Sequence, residues 1–268
     1  MIRLAMAGAL GRMGRTILGM ALKDTKNFRI TGALEAAGRS EIGADIGPFL
    51  GVSPIGVEVS SDVKAILKRS DVLIDFTSFS AARSNLAAAL QTGTGYVLGT
   101  TALPDSVLTK LKTASKKIPI VQSPNMSIGV NLLFKLSELA ASVLDESYDL
   151  ELMEIHHRQK KDAPSGTAMK LLEVVAHARG KNLKKDAVYG REGDVGARPR
   201  GEIGSFALRG GDVVGDHTVY FFGDGERIEL THKASSREAF AKGALAAAKF
   251  VAKRKNGLYD MSQVLGIV

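Results

Sequence analysis

One stretch of fourteen residues, 154–167, gathers histidines, lysines and the start of a helix. Its candidates for proton transfer are His156, His157 and Lys160. Imidazole and ammonium groups donate or accept protons, and in their charged forms they pair with anions. The stretch therefore predicts a site that moves a proton on an acidic small molecule.

This stretch lies between a predicted strand and a predicted helix. Residues 150–154 favour a strand, which places the histidines at its end, where side chains emerge into a cleft. Apolar residues at helical spacing predict a helix over 165–178. Pro164 has no amide hydrogen and suits a position in or just before the first turn. Residues 165–167 are therefore expected at a helix N-terminus, whose free N–H groups bind anions.

No metal site is expected here. His156 and His157 are adjacent and point to opposite sides of an extended chain, so they are not expected to hold one ion together. The chain has no cysteine, which excludes disulfides, thiol nucleophiles and thiolate ligands. Two histidines, Lys160 and a helix start in one loop favour catalysis over a structural role.

The composition is that of a soluble globular protein with two domains: 268 residues, 45% hydrophobic and 24% charged. No apolar run approaches the roughly 20 residues that span a bilayer, so no membrane association is expected. The first strand begins at Ile2, which leaves no room for a signal peptide and favours a cytoplasmic location. A net charge of +8 is compatible with nucleic-acid binding or with a site for a small polyanion. Because no helix-turn-helix or zinc-finger pattern accompanies this charge, no nucleic-acid partner is expected.

A glycine-rich turn follows the first predicted strand. Its three glycines, Gly8, Gly11 and Gly14, allow a tight turn and a close approach of the backbone to a pyrophosphate at a helix N-terminus. Leu10 takes the place of the usual second glycine. Glu35 comes 21 residues after Gly14, which is the spacing of an acid that binds ribose hydroxyls. The predicted dinucleotide contacts in this region are Gly8, Ala9, Leu10, Gly11, Arg12, Met13 and Glu35.

Strand and helix patterns alternate over the first half and indicate an α/β fold with a Rossmann-like doubly wound parallel sheet. Ligands of such sheets lie beyond the carboxyl ends of the strands. There, Asn125 is expected to offer its amide to a nicotinamide carboxamide, and Gly99 to let the chain approach a ring closely. Each such residue could instead belong to an ordinary turn. The predicted contacts at the strand ends are Gly99, Thr100, Thr101, Ser123, Pro124, Asn125 and Met126.

The second half predicts a separate α+β domain with a mixed or antiparallel sheet. A loop over 180–201 is expected to be mobile or to cover the substrate. One face of the sheet is expected to meet another subunit, with Tyr220, Phe221 and Phe222 exposed. A preceding helix over 128–144 has apolar residues at helical spacing at Leu132, Leu133, Leu136, Leu139 and Val143. The strands are predicted over 203–208, 213–214, 217–222 and 227–232.

The end of the chain is expected to return to the first domain. Ser235 and Glu238 have the spacing of a capping box, and the helix that follows suits packing against the dinucleotide domain. That domain is therefore predicted to be discontinuous, comprising residues 1–126 and 237–268. Residues 127–236 are predicted to form the domain for substrate binding and oligomerisation.

Residues 154–157, Lys160 and residues 162–167 resemble the signature of the 4-hydroxy-tetrahydrodipicolinate reductase family, formerly called dihydrodipicolinate reductases. The resemblance implies reduction of a cyclic imine dicarboxylate with NADH or NADPH, in the diaminopimelate route to lysine. It also implies a homotetramer formed through the second domain, and closure of one domain upon the other. Further segments that resemble the family, in order, are residues 11–14, 75–77, 99–101, 125–131, 215–218 and 231–237.

The resemblance also implies roles for individual residues. His156 takes the part of proton donor or acceptor, and Lys160 that of proton donor near the reacting ring. His157, Gly166 and Thr167 would hold the substrate carboxylates, which fits the affinity of cations and a helix N-terminus for anions.

The expected cofactor is NADH, with NADPH possible. Relatives that use NADPH well often have an arginine after the acid that binds the ribose, whereas Glu35 is followed by Ala36 and Ala37. A carboxylate without an adjacent cation disfavours a 2′-phosphate, although Arg39 could still pair with one. The alternatives to a reductase of this family are another two-domain NAD(P)-dependent dehydrogenase and a cofactor-sensing, nucleic-acid-binding regulator.

Overall fold

The computed structural model describes residues 1–100 and 103–267. One predicted cofactor contact, Thr101, lies outside the described residues. The strands are β1 (Ile2–Ala7), β2 (Phe28–Leu34), β3 (Val59–Ser60), β4 (Val72–Asp75), β5 (Gly95–Leu98), β6 (Pro119–Gln122), β7 (Asp149–His156), β8 (Ala187–Tyr189), β9 (Ile203–Arg209), β10 (Gly215–Gly223), β11 (Glu226–Ala234) and β12 (Gly257–Tyr259). The helices are α1 (Arg12–Lys23), α2 (Val63–Leu67), α3 (Phe79–Thr92), α4 (Asp105–Ala114), α5 (Ile128–Val143), α6 (Gly166–Ala178), α7 (Leu183–Asp186), α8 (Glu238–Val251) and α9 (Met261–Leu265), with a 3-10 turn at Pro48–Leu50.

The chain divides into two units, of which the first comprises Met1–Ile128 and Arg237–Val268. Its sheet has the strand order β12-β6-β5-β4-β1-β2-β3, and all its neighbouring strands are parallel. Side chains of β1 alternate between two apolar clusters, with Leu4 and Met6 in one and Ala5 and Ala7 in the other. Both faces of the sheet are therefore covered, as an unbroken apolar strand requires. The predicted doubly wound α/β fold is confirmed.

The last long helix, α8, belongs to the first unit, and Ala244 and Ala248 pack in the same cluster as Leu4. It begins at Glu238 with Arg237, and not Ser235, as its N-cap residue, and the Arg237 side chain makes no capping hydrogen bond. The predicted capping box of Ser235 and Glu238 is therefore wrong, although the helix itself is present.

The second unit, Gly129–Ser236, holds a five-stranded sheet in the order β11-β10-β7-β9-β8. Strand β10 is antiparallel to β7 and β11, while β9 is parallel to β7 and β8. The predicted mixed sheet is confirmed. No strand forms at residues 213–214, which lie between a turn at residues 211–212 and the start of β10.

The predicted exposure of Phe221 is wrong. Phe221 is fully buried, whereas Tyr220 and Phe222 stack on each other on the opposite face of β10, because neighbouring strand residues point to opposite faces. In α5, Leu133 is buried but Leu132, Leu136, Leu139 and Val143 are exposed. Both sides of α5 carry apolar residues, with Val130, Phe134 and Ala141 in the core, so the apolar spacing did not identify the buried side.

The segment 180–201, predicted to be a mobile or substrate-covering loop, contains α7 and β8 and is anchored to the sheet. Arg198 donates to Asp149 at 2.6 Å and to Glu151 at 2.8 Å, both on β7. It also donates to the carbonyls of Leu150 and Glu202. A guanidinium with carboxylate and carbonyl partners ties this segment to the central strand of the sheet.

Among the described residues, none of the helices is both long and apolar enough to cross a membrane.

Candidate functional site

The turn after β1 has the geometry of a phosphate-binding loop. Gly8 has a φ of +74°, a conformation that side chains disfavour. The N-cap of α1 is Gly11, with no side chain capping the first turn. At Gly14, a Cβ would lie 2.1 Å from the carbonyl oxygen of Gly8. The free N–H groups of α1 therefore begin directly beside the turn, where a pyrophosphate is bound in such folds. The predicted contacts Ala9 and Leu10 lie in this turn, and Arg12 and Met13 open α1.

Glu35, directly after β2, is connected to the same loop. Its Oε1 accepts a hydrogen bond of 2.7 Å from the amide of Leu10, the residue that replaces the second glycine. Arg39 Nη1 lies 3.9 Å from Glu35 Oε2, and Arg39 also donates to Glu41 at 3.2 Å. The carboxylate therefore stands beside the phosphate loop with a cation within reach.

A buried aspartate organises the loop that follows β4. Asp75 is fully buried and accepts from the Thr77 hydroxyl, the Asn85 amide and the Tyr96 hydroxyl at 2.6 to 2.8 Å. Burial, and then the charge of Asp75, raises the pKa of Tyr96, so this hydroxyl stays protonated as a donor. Thr77 in turn lies 3.2 Å from the position of a Cβ on Gly8. The network holds the β4 loop against the glycine turn.

Gly99 and Thr100 support the β4 loop. Thr100 donates to the Thr77 carbonyl at 3.2 Å. A Cβ on Gly99 would lie 2.3 Å from the ring of Phe76. Gly99 therefore does permit close approach to a ring, but in this structure the ring is that of Phe76.

Residues 123–126 form a turn at the carboxyl end of β6. Ser123 Oγ donates to the Asn125 carbonyl at 2.7 Å, and Asn125 Oδ1 accepts from the Ser127 amide at 2.8 Å. Gly243 of α8 would place a Cβ 1.6 Å from the Met126 carbonyl, so only glycine allows α8 this close to the turn. The turn, which includes Pro124, is therefore in close contact with α8. The glycine turn, Glu35 and the two strand-end loops together fit a dinucleotide.

In the second unit, Glu154 and His156 occupy the end of β7. Both face the core side of the sheet because they are two residues apart in a strand. Glu154 Oε2 contacts His156 Nδ1, and Glu154 Oε1 accepts hydrogen bonds from Arg209 and from the Ser165 amide, both at 2.9 Å. Burial raises the pKa of Glu154, but the bonds from His156, Arg209 and Ser165 outweigh it and bring it to about 2. The carboxylate is therefore ionised at neutral pH.

His217, on β10, lies opposite Glu154 across the sheet. Its ring packs edge to face on His156 with centroids 5.1 Å apart, and its Nε2 lies 3.2 Å from the Ser165 hydroxyl. Burial, and then the charge of His156, lowers the pKa of His217 to about 3. His217 is therefore neutral at physiological pH.

Glu154, His156 and His217 are also groups that bind metals, and their ligand atoms lie within 4.8 Å of one another. Arg209 already occupies Glu154 Oε1, however, and its guanidinium repels a cation. The arrangement favours proton transfer over metal binding.

The start of α6 lies beside this cluster, which confirms the predicted helix N-terminus. Ser165 is the N-cap residue, and its hydroxyl accepts from the Ala168 amide at 3.1 Å. Gly166 and Thr167 are the first two helical residues. A Cβ on Gly166 would meet no atom within 4 Å, so the first turn is open at the side where Gly166 lies.

The loop between β7 and α6 carries the other predicted residues. Lys160 Nζ forms an ion pair of 2.9 Å with Asp162 Oδ1. Arg209 donates to the Asp162 carbonyl at 2.6 Å, which connects this loop to the Glu154 cluster. The amide of His157 donates to the Val213 carbonyl at 2.8 Å, and its side chain is half-buried. The structure thus brings His156 and the start of α6 together through Glu154, with Lys160 on the connecting loop.

Sequence reasoning gave no role to Glu154, Arg209 or His217. The alternation of Glu154 and His156 along one strand was a usable signal, since residues two apart share a face. His217 lies in the segment 215–218 that resembles the family, but neither it nor Arg209 could be placed beside His156, because their positions depend on how β9 and β10 align with β7.

Because His217 is buried, we expect the free energy of unfolding of the protein to depend on pH. An unfolded histidine binds a proton near pH 6.5, while the folded His217 does so near pH 3. Its contribution is therefore complete above pH 6.5 and is lost as the pH falls towards 3. We expect the free energy of unfolding to fall by up to about 2 to 3 kcal/mol between pH 6.5 and 4.5, before the carboxylates titrate.

Urea denaturation at several pH values measures this loss. His217→Asn keeps a partner for the Ser165 hydroxyl, and it should show a shallower decline over the same window. The residual slope should come from His232, whose pKa is also lowered, first by burial. An equally steep decline in the variant would contradict the assignment to His217.

Two family models match the chain over nearly its whole length. "Dihydrodipicolinate reductase, N-terminus" matches residues 2–126, and "Dihydrodipicolinate reductase, C-terminus" matches residues 129–265. A relative named 4-hydroxy-tetrahydrodipicolinate reductase, from Polynucleobacter necessarius, is 49% identical over 266 residues, which cover 99% of each chain. A relative of the same name from Nitrosomonas eutropha is 49% identical over 267 residues, covering 100% of this chain and 99% of the other.

Among solved structures, the dipicolinate-bound dihydrodipicolinate reductase of Paenisporosarcina sp. TG-14 superposes with a TM-score of 0.76. It is 26% identical, and 97% of each chain is covered. An amine dehydrogenase of Mycobacterium smegmatis has a TM-score of 0.61 at 13% identity, covering 96% of this chain and 94% of the other. That second likeness shows a common fold alone.

Proposed function

We propose that this chain, which belongs to the dihydrodipicolinate reductase family, reduces the cyclic imine dicarboxylate of that family to tetrahydrodipicolinate. It is an NAD(P)H-dependent oxidoreductase, and the family match confirms the resemblance inferred from its residues. The reaction is a step of lysine synthesis through diaminopimelate. The observation that carries the assignment is the Glu154 cluster, which joins His156 to the start of α6.

The substrate has two carboxylates and an imine that must receive a proton. Gly166 and Thr167 at the start of α6, with His157, hold the carboxylates through N–H groups and positive charge. Lys160 and His156 donate and accept the protons. Bound NADH or NADPH supplies the hydride, and the glycine turn and Glu35 of the first unit hold that cofactor. The dipicolinate bound by the Paenisporosarcina relative is itself a ring dicarboxylate, which supports this class of substrate.

The direct test supplies the chain with freshly made product of dihydrodipicolinate synthase and follows oxidation of NADH and NADPH in separate reactions. We expect oxidation that depends on the synthase product, and competitive inhibition by dipicolinate. The same mixture without synthase is the control. Oxidation no faster than this control with either nucleotide would refute the proposal.

NADH is the proposed preferred cofactor. Glu35 is followed by exposed Ala36 and Ala37, so neither of the two residues after this acid is a cation. Arg39, 3.9 Å from Glu35, is the group available to a 2′-phosphate and keeps NADPH as a usable substrate. We expect a higher kcat/KM with NADH. Ala36→Arg should raise kcat/KM for NADPH by about tenfold, the effect of one added charge-assisted contact.

Arg39→Ala is the matched variant for that comparison. It should lower kcat/KM for NADPH and leave NADH little changed, because only the phosphate needs the guanidinium. Steady-state kinetics with both nucleotides measure these effects, and a wild-type preference for NADPH would contradict the proposal.

A homotetramer is the proposed assembly, with the open face of the five-stranded sheet as its interface. Tyr220 and Phe222 stack on this face, and Leu208 of β9 is exposed on it. Light scattering should give a mass of four chains, and Phe222→Glu should lower it by placing a charge in the interface. A monomer mass for the wild-type chain would overturn the assembly. The cytoplasmic location and the absence of a nucleic-acid partner stay predictions.

A further inference from the structure

The proposed reaction uses His156, but it does not by itself require the buried carboxylate beside it. Glu154 is fully buried and in contact with an imidazole, a guanidinium and a backbone amide. We infer that Glu154 is a positioning residue that fixes His156 in the tautomer with hydrogen on Nδ1 and ties its ring to the start of α6. This inference rests on the proposed function, in which His156 exchanges protons with the substrate.

The tautomer follows from the atoms in contact. His156 Nδ1 faces Glu154 Oε2. An ionised carboxylate only accepts hydrogen bonds, so the imidazole nitrogen that faces it carries the hydrogen. In neutral His156 the other nitrogen, Nε2, then has the free lone pair and is the atom that can take a proton.

The carboxylate keeps this role across the working pH range. Its pKa is held at about 2, because the bonds from His156, Arg209 and the Ser165 amide outweigh the effect of burial, which acts the other way. Arg209 also balances the charge that Glu154 buries. Glu154 is therefore an acceptor wherever the enzyme is expected to work.

One further ring contact and one open position define the place of the His156 ring. The ring of His217 packs edge to face on it at 5.1 Å. On another side, a Cβ on Gly215 would lie 2.9 Å from Nε2, so the missing side chain leaves room for that nitrogen. With Glu154 at Nδ1, the ring has neighbours that define both its place and its rotation.

The same carboxylate sets the start of α6. Oε1 accepts from the amide of Ser165, whose hydroxyl caps the helix. Glu154 therefore contacts both the histidine that is proposed to exchange protons and the helix start that is proposed to hold a substrate carboxylate. Loss of the charge is therefore expected to affect kcat more than the binding of NADH.

The test uses the wild-type protein, Glu154→Gln and a matched control, Glu151→Gln. The chain has five histidines, so histidine labelled with nitrogen-15 gives assignable long-range spectra. We expect wild-type His156 to show hydrogen on Nδ1 in its neutral form. In Glu154→Gln, the new side chain carries an NH2 group that donates hydrogen bonds, whereas the carboxylate only accepts them. His156 Nδ1 would then have to accept, so the His156 signals should move towards the tautomer with hydrogen on Nε2. kcat should fall by about tenfold or more, with an unchanged KM for NADH.

Glu151 lies on the same strand as Glu154 and forms ion pairs with two arginines, Arg191 and Arg198. In the described part of the chain it contacts no histidine. Glu151→Gln should lower stability without altering the His156 tautomer or kcat. A wild-type His156 with hydrogen on Nε2 would overturn the inference, and this measurement needs no variant to fold. A Glu154→Gln protein with wild-type tautomer and kcat would also overturn it. Absence of any reductase activity in the wild type refutes the proposed function instead, and the tautomer measurement still decides the role of Glu154.

Discussion

Replacing Lys160 by alanine is expected to lower kcat by about a hundredfold to ten-thousandfold, the usual contribution of a positioned general acid. Lys160 lies on the loop between β7 and α6, where its ion pair with Asp162 orients the ammonium group. The side chain is mostly buried, so no other cation can readily take its place. Steady-state kinetics with the synthase-coupled assay measure the loss, and KM for the dicarboxylate should rise as well.

Two further variants separate the charge of Lys160 from its proton. Lys160→Arg keeps a cation for the substrate carboxylates, but arginine stays protonated and does not act as the acid. Its KM should stay near the wild-type value while kcat falls. Lys161→Ala removes a charge from the next, exposed position and should change neither constant more than about twofold, the effect of an exposed charge. Wild-type turnover in Lys160→Ala would refute the role of Lys160.

Gly14→Ala is expected to disable the first unit. The added Cβ would lie 2.1 Å from the Gly8 carbonyl oxygen and 2.8 Å from atoms of Ala9, all of them backbone. No side-chain rotation relieves such an overlap, so α1 must move away from the turn that it adjoins. We expect a loss of about 1 to 3 kcal/mol or more in the free energy of unfolding, the range for overpacked sites. KM for NADH should rise at least about tenfold, because the phosphate loses the aligned helix N-terminus.

Gly19→Ala is the matched control in the same helix. A Cβ there meets no atom within 4 Å, and alanine favours a helix over glycine by about 1 kcal/mol. This variant should be as stable as the wild type or more so, with an unchanged KM for NADH. Urea denaturation and nucleotide titration compare the two substitutions. Equal behaviour of Gly14→Ala and Gly19→Ala would contradict the close approach at Gly14.

Features that depend on local spacing were predictable from the sequence. The glycine turn, the acid after β2 and the helix start at Ser165 each lie within a short segment, and their geometry follows from φ preferences, capping and the pyrrolidine ring. Apolar strands alternating with helices likewise indicated a parallel sheet with both faces covered. The family signature lies in the same local segments.

The sequence did not predict which face of a helix or strand packs against the core. The exposed side of α5, at Leu132 and Leu136, is as apolar as its buried side. Phe221 and Phe222 have the same chemistry, and only the register of β10 decides which of them enters the core. The segment 180–201 was predicted to be a mobile or substrate-covering loop because it is long and has little periodicity, whereas Arg198 binds Asp149 and Glu151 on a distant strand.

The sequence by itself determined the reaction class and the local segments that carry it, because a proton-transfer loop and a phosphate turn are encoded by neighbouring residues. The tertiary structure alone decided that His217 packs against the ring of His156, and that Arg209 balances the buried charge of Glu154. These contacts join strands β7, β9 and β10, whose alignment is set by the packing of the whole sheet and its core. A strand shifted by one residue would turn each of these side chains to the other face.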